Sequence, residues 1–388
     1  MDVNSKTQLL GGLPAEQFVS DYWQRKPLLV RQALPGFVDP ISTEELAGLS
    51  LEDFIESRLI VEQDEEHPWQ LRHGPFEEAL YQNLPERNWT VLVQAVDQWL
   101  PEVAKLIEPF TFLPKWRMDD VMISYAAPGG SVGPHFDNYD VFLIQGKGRR
   151  RWRIGQLCDS QSPLLPHPDL RILADFQQTD EWVLEPGDML YLPPRIAHYG
   201  IALEDCLTYS VGFRAPRAAD VLTLFTDFVA QRLTDEQRYS DAGLSFAPEP
   251  QQISRAAVER LKALLKQSLD DESLLLQWFG EYMTEPRYPE LLEPDPEPQL
   301  HPPFKEAVLK QNSAARLAWA QHANGLVLFA SGRSLELPGH LESLVRALCD
   351  NGELRATELG RYQDDPQARR LLMQLMADGE LLWHHDQP

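Results

Sequence analysis

The chain has 388 residues, 43% hydrophobic and 24% charged, with 35 Lys and Arg against 59 Asp and Glu for a formal net charge of −24. That length allows two or three domains with cores of their own, and no apolar run reaches the roughly 18 residues needed to span a membrane. So acidic a chain lacks the basic surface that phosphate contacts need, which argues against direct nucleic-acid binding and favours a basic partner.

The opening "MDVNSKTQLLGGLPAEQF" has neither the basic start nor the apolar core of a signal peptide. The three cysteines, Cys158, Cys206 and Cys349, are far apart with no CxxC spacing, and read as reduced thiols. Both features predict a cytoplasmic protein.

Residues 14 to 110 read mostly as helix and loop. Phe18, Tyr22 and Trp23 recur at helical spacing, and "NWTVLVQAVDQWLPEVAKLI" repeats that pattern more strongly. From about 117 to 215 short apolar runs alternate with turn residues: "DDVMISYA", "VFLIQ", "RRRWRI", "EWVLEPGDMLYLPP" and "CLTYSVGF". Such a series predicts a β-sandwich or barrel. Helical texture returns over 218 to 283, followed by seven prolines between 286 and 303, which predict a stiff acidic linker.

The rest, about 304 to 388, predicts a small separate domain. It offers a hairpin, "GLVLFASGRSLEL", and two helices, "HLESLVRALCDNG" and "DPQARRLLMQLMADG", each closed by glycine. Helices beside a hairpin suggest a winged-helix shape. Nine Lys and Arg against eleven Asp and Glu over 301 to 388 argue for packing or partner contact rather than DNA binding.

The segment "GPHFDNYDVFLIQGKGRRRWRIG", residues 133 to 155, reads as a β-hairpin. In a strand His135 and Asp137 share a face, so both can hold one ion. His198, just after "EPGDMLYLPP", is the candidate third ligand. Two histidines and one carboxylate with open positions form the facial triad of non-haem Fe(II) oxygenases. His67, His73, His167, His301, His322 and His340 sit in polar or proline-rich contexts and read as surface or cap residues. His384 and His385 read as a solvated tail.

Alternation divides the arginine run into Arg149, Arg151 and Arg153 on a solvated face and Arg150 inward beside Trp152 and Ile154. A buried guanidinium requires an anion. One reading is a buried bridge to Asp or Glu; the other is a ligand carboxylate held by the guanidinium fork, which in a non-haem iron site would be 2-oxoglutarate.

These motifs together resemble the JmjC 2-oxoglutarate oxygenases, and most closely the bacterial arginine-hydroxylase branch of the ribosomal oxygenases. "FVSDYWQRKPLLVRQ", "GPFE" at 74 to 77, "DDVMIS" and "YSVGFRAP" extend the likeness over most of residues 15 to 290. The resemblance implies a mainly β core, a double-stranded β-helix or jelly roll of the cupin-like JmjC type, with flanking helices. It divides the chain into a catalytic domain at 1–217, a helical dimerisation segment at 218–290, a linker at 291–303 and a winged-helix-like α+β domain at 304–388.

The resemblance also implies Fe(II), 2-oxoglutarate and O2, with His135, Asp137 and His198 as iron ligands and Arg150 and Ser124 on the co-substrate. Alternation puts Ser124, Met122 and Asp120 on one face, so Asp120 is a candidate contact for a substrate cation, with Tyr139 near the mouth. The implied reaction hydroxylates an arginine β-carbon of a basic large-subunit ribosomal protein, number sixteen of the bacterial set, with the enzyme a homodimer. The alternatives are a JmjC histidine hydroxylase or lysine demethylase, an acidic dimeric ribosome-assembly adaptor with a structural metal, and a cupin without co-substrate.

Overall fold

A computed structural model describes residues 9–62, 69–243, 251–300, 308–322 and 325–384 and separates into two compact units, Met1–Ala215 and Pro216–Pro388. The first unit carries β1 (Leu28–Val30), β2 (Ser57–Val61), β3 (Gln70–His73), β4 (Trp89–Val93), β5 (Met118–Ala126) and β6 (Val141–Gln145). These are followed by β7 (Arg150–Leu157), β8 (Asp180–Leu184), β9 (Met189–Leu192), β10 (Ile196–Ala202) and β11 (Cys206–Phe213).

The strands form an eight-stranded antiparallel sheet of order β1-β9-β6-β11-β5-β4-β2-β3 and a three-stranded sheet of order β10-β7-β8. After β6 the chain crosses to the small sheet, returns for β9, crosses for β10 and returns for β11. This is the alternation of a jelly roll.

Side-chain parity explains why both faces of the large sheet are buried. Val121, Ile123, Phe142, Ile144, Tyr191, Tyr209 and Val211 pack outward with Phe18, Leu46, Val103 and Phe110 from the N-terminal helical layer. Their neighbours Val141, Leu143, Leu190 and Leu192 pack inward against Trp152, Ile154 and Leu184 of the small sheet. At roughly 25 cal/mol per Å² of apolar surface, these two layers supply the dominant folding drive of the unit.

Two sequence expectations fail here. Residues 133 to 155 are not a hairpin: β6 pairs with β9 and β11, whereas β7 pairs with β8 and β10. Turn residues between two apolar runs also occur where a chain changes sheets, so the turn alone cannot name the partner. Residues 89–93 are strand rather than helix, because "WTVLV" runs between β2 and β5 and pairing with both overrides the helical periodicity.

The second unit begins with helices Ala218–Ala230, Arg255–Leu269 and Glu272–Thr284. Gly280 lets the third lie close on the next sheet, since a Cβ there would sit 2.3 Å from the Phe329 ring. That sheet is β13 (Leu317–His322), β14 (Gly325–Ala330) and β15 (Arg333–Pro338). A second sheet orders β16 (Glu353–Arg355), β12 (Val308–Gln311) and β17 (Leu381–His384).

Helix Glu342–Asn351 ends on Gly352 at φ 67°, and Pro366–Ala377 is capped at its start by Asp365. His384 pairs in β17 with Val308 and is not part of a tail; His385 lies outside the described residues. The proline-rich stretch packs along this unit, with Leu300 buried and the Gln299 carbonyl accepting from Trp383 Nε1 at 3.0 Å.

Candidate metal centre and the buried arginine

Three backbone hydrogen bonds bring the segments of His135, Asp137 and His198 together. His135 N–H donates to the His198 carbonyl at 3.0 Å, His198 N–H donates back at 2.8 Å, and Arg195 N–H donates to the Asp137 carbonyl at 2.6 Å. His135 thus lies in an isolated antiparallel bridge rather than a full strand, and Asp137 lies in a loop. Gly133 starts this segment at φ 80°, where a Cβ would press on Ile172 and Trp69 at 3.2 Å.

The result is one cluster. Ligand atoms of His135, Asp137 and His198 all lie within 4.8 Å of one another. Asp137 Oδ2 is 3.6 Å from His198 Nε2 and 3.9 Å from His135 Nε2. Each imidazole sets its Nδ1 against a carbonyl at 2.9 Å, Gly133 for His135 and Ile196 for His198. With Nδ1–H donated there, both Nε2 lone pairs face the carboxylate, the tautomer that a metal ligand requires. Among the described residues no other histidine, cysteine, aspartate or glutamate group forms such a cluster; His67 and His301 fall outside them.

Burial first, and the neighbouring His135 second, push His198 down to about 4 from its ordinary 6.5. His198 is therefore neutral at pH 7 and available as a ligand. Above pH 6.5 neither the folded nor the unfolded form is protonated there, so the shift has no effect on stability. Below it the unfolded chain takes up a proton that the fold refuses. The metal-free protein should lose about 1.4 kcal/mol per pH unit from 6.5 towards 4, roughly 3 kcal/mol in all. Urea unfolding across that range checks this, and the His198→Gln variant should flatten the slope.

Arg150 points inward from β7 and is 2% exposed. Its Nη1 donates to Ser124 Oγ at 3.1 Å and Thr208 Oγ1 at 3.3 Å, and its Nη2 to the Gly200 carbonyl at 3.4 Å. Its Nε is buried without an acceptor. No Asp or Glu pairs with it among the described residues, so the internal-bridge reading fails; burial lowers its pKa and only the Cys206 thiol opposes that. The guanidinium also lies 5.1 Å from the Trp152 ring, which in turn lies 6.0 Å from that of His198. The outward arginines are paired rather than free: Arg149 with Glu204 at 3.0 Å, and Arg151 and Arg153 both with Glu181, at 3.6 and 3.0 Å.

Gly200 makes room for this arrangement, because a Cβ there would sit 2.7 Å from Trp152 and 2.9 Å from Arg150 Nε. Gly200→Ala should destabilise the protein by about 1–3 kcal/mol through overpacking and displace the guanidinium. Thermal unfolding and ligand titration on the same sample check both effects.

Asp120 is 4% exposed and accepts from Gln94 Nε2 at 2.7 Å, while Gln94 Oε1 accepts from Arg58 Nη2 at 3.2 Å. It is a buried, bonded carboxylate. Tyr139 is 43% exposed, yet the Asp137 carboxylate and burial of its hydroxyl end push its pKa up.

Sequence reasoning passed over Thr208, Gln145, Gln94 and Gly200. A signal for Thr208 was present: in "CLTYSVGF" Cys206, Thr208 and Ser210 alternate with Leu207, Tyr209 and Val211, which marks a polar inner face.

Residues 105–221 match the JmjC domain family, and residues 265–381 match the ROXA-like winged helix. The chain is 40% identical over 364 residues to the ribosomal protein uL16 3-hydroxylase of Escherichia coli, covering 93% of this chain and 95% of that one. It is 34% identical to a probable ribosomal oxygenase of Haemophilus influenzae, covering 96% and 94%. The structure of the ribosomal oxygenase YcfD from Escherichia coli in complex with cobalt and 2-oxoglutarate superposes with a TM-score of 0.81 at 36% identity. That match covers 96% of this chain and 99% of the other. A jelly roll carrying a His-Asp-His cluster and a winged helix, alike over nearly its whole length to these proteins, belongs to the JmjC ribosomal-oxygenase family.

Proposed function

We propose that the protein is an Fe(II)- and 2-oxoglutarate-dependent dioxygenase that hydroxylates the β-carbon of an arginine in large-subunit ribosomal protein uL16. The observation that carries this reading is Arg150, a buried cation without a counter-ion among the described residues, in the same barrel as two histidines and a carboxylate. A ligand that supplies negative charge there offsets the desolvation cost of such a cation. A dicarboxylate that chelates a metal with one end presents its other end as that charge.

The donor set fits a divalent ion of the Fe(II) type, with imidazole and carboxylate ligands, each Nδ1 set against a carbonyl so that Nε2 faces the cluster, and no thiolate in it. His135, Asp137 and His198 would hold it. Bound there with 2-oxoglutarate, Fe(II) supplies dioxygen activation for C–H hydroxylation, with succinate and carbon dioxide as by-products. The protein's share is positioning and exclusion of water. Arg150 and Ser124 hold the far carboxylate, with Thr208 bonded to the Arg150 fork behind it, while Leu143, Leu190 and Trp152 keep the interior apolar. Asp120, buried and held by Gln94, and Tyr139 nearer the surface offer a carboxylate and an aromatic ring suited to a guanidinium.

The uL16 assignment is supported by the Escherichia coli relative and by the net charge of −24, which favours a basic substrate. Exposed apolar residues on the 218–290 helices, among them Leu222, Leu261 and Leu265 at 67%, 47% and 51% exposure, support a homodimer formed there. No helix among the described residues is long and apolar enough to cross a membrane, which is compatible with cytoplasmic action on ribosomal proteins.

Mass spectrometry of ribosomal proteins from cells with and without the gene tests the assignment. One added oxygen on a uL16 arginine, present only with the gene, supports it. Loss of a methyl group from a lysine, or oxygen on a histidine, would replace it with a sister activity.

A further inference from the structure

The turn that delivers Arg150 is clamped from both sides, and the inner clamp is a buried amide with no role so far. Gln145, the last residue of β6, is fully buried and faces inward opposite Thr208. Its Nε2 donates to the carbonyls of Leu207 at 2.9 Å, Lys147 at 3.2 Å and Gly148 at 3.3 Å. The last two belong to the turn just before Arg150. On the other side Asp39 accepts from Lys147 N–H at 3.1 Å and from the Tyr209 hydroxyl at 2.9 Å. Its amide nitrogen faces these carbonyls and the Cys206 thiol, and its Oε1 is turned to Thr208, whose Oγ1 donates to it at 3.4 Å. The Thr208 hydrogen is thereby turned away from Arg150, and its oxygen accepts from Nη1 at 3.3 Å.

We propose that Gln145 is a positioning residue for the co-substrate's far carboxylate. Its amide fixes the turn that carries Arg150 and turns the Thr208 lone pairs toward the guanidinium. An amide suits this place for two reasons. It donates to several carbonyls at once, which an acid or an alkyl group cannot do, and it brings no charge that would pair with Arg150 in place of the ligand. Arg150 therefore stays both aimed and unpaired.

This inference rests on the 2-oxoglutarate reading above, so its test must fail separately from it. The probe is 2-oxoglutarate itself, titrated into Mn(II)-loaded full-length protein, together with steady-state turnover on a uL16 peptide. Gln145→Met keeps the volume and removes the amide. We expect its 2-oxoglutarate affinity to fall about tenfold, the effect of losing a buried hydrogen-bond partner, while kcat stays within about twofold and Mn(II) alone binds as in the wild type. A merely structural role would not depend on what occupies position 150. In an Arg150→Lys background, whose compact ammonium does not use the fork, the same change should cost less than about twofold, a coupling that a double-mutant cycle measures.

Unchanged affinity in Gln145→Met, or a loss that adds in full to that of Arg150→Lys, overturns the inference. Should Gln145→Met give no cooperative unfolding, Thr208→Val, which removes only the relaying hydroxyl, is put through the same cycle with the same thresholds. A wild-type protein that binds no 2-oxoglutarate sinks the co-substrate reading instead.

Discussion

Arg150→Met should make the ligand-free protein more stable and the enzyme inactive. The wild-type guanidinium is 2% exposed and hydrogen-bonded only to neutral groups, so folding bears most of its desolvation cost. Replacing an inadequately paired buried ion by an apolar side chain of similar volume is commonly neutral or stabilising, here by about 1–3 kcal/mol. The same change removes the charge that holds the far carboxylate, and affinity for 2-oxoglutarate should drop by at least about 100-fold. Thermal unfolding without ligand and calorimetric titration with Mn(II) and 2-oxoglutarate read the two effects independently. A residue kept only for packing would move both in the same direction.

Removal of any one member of the cluster should abolish turnover. In His135→Ala, Asp137→Ala or His198→Ala two ligands remain. The loss of metal affinity should exceed the roughly 10–100-fold that follows from disturbing only a ligand's hydrogen-bond partner. Asp137→Asn separates charge from shape. It keeps the volume beside the two Nε2 atoms at 3.6 and 3.9 Å but removes the anion, and it should bind Mn(II) almost as poorly as Asp137→Ala. Electron paramagnetic resonance of added Mn(II) measures this directly. The fold should survive in all four, since the backbone bonds between His135 and His198 do not involve these side chains.

Much of this site was legible in the chain because strand periodicity is local. The separation of Arg150 from Arg149, Arg151 and Arg153 follows from alternation alone, and the structure places Arg150 inside and the others outside. The HxD pair was also readable, although the reason given for it was wrong: His135 and Asp137 converge through a single bridge to His198, not through a regular strand.

What the chain could not reveal depends on distant pairing. Whether "VFLIQ" and "RRRWRI" belong to one sheet or two depends on β9, β10 and β11, up to 71 positions away, and local turn chemistry is the same in both cases. The strand nature of residues 89–93 is likewise set by its neighbours β2 and β5. Polar residues that act through others, such as Gln145 and Gln94, carry no spacing signature. Only the register that sets Gln145 opposite Thr208 gives them meaning.

In the proposed reaction the His-Asp-His cluster and Arg150 act together as an oxygenase site for a basic ribosomal peptide. The most direct measurement follows purified protein with Fe(II), labelled 2-oxoglutarate, dioxygen and a uL16 peptide. Succinate and peptide-borne oxygen are counted in the same reaction. One succinate should accompany each added oxygen, the oxygen should lie on arginine, and His135→Ala should form neither product. Succinate formation no greater than in that variant, with the peptide unchanged, would contradict the proposed reaction.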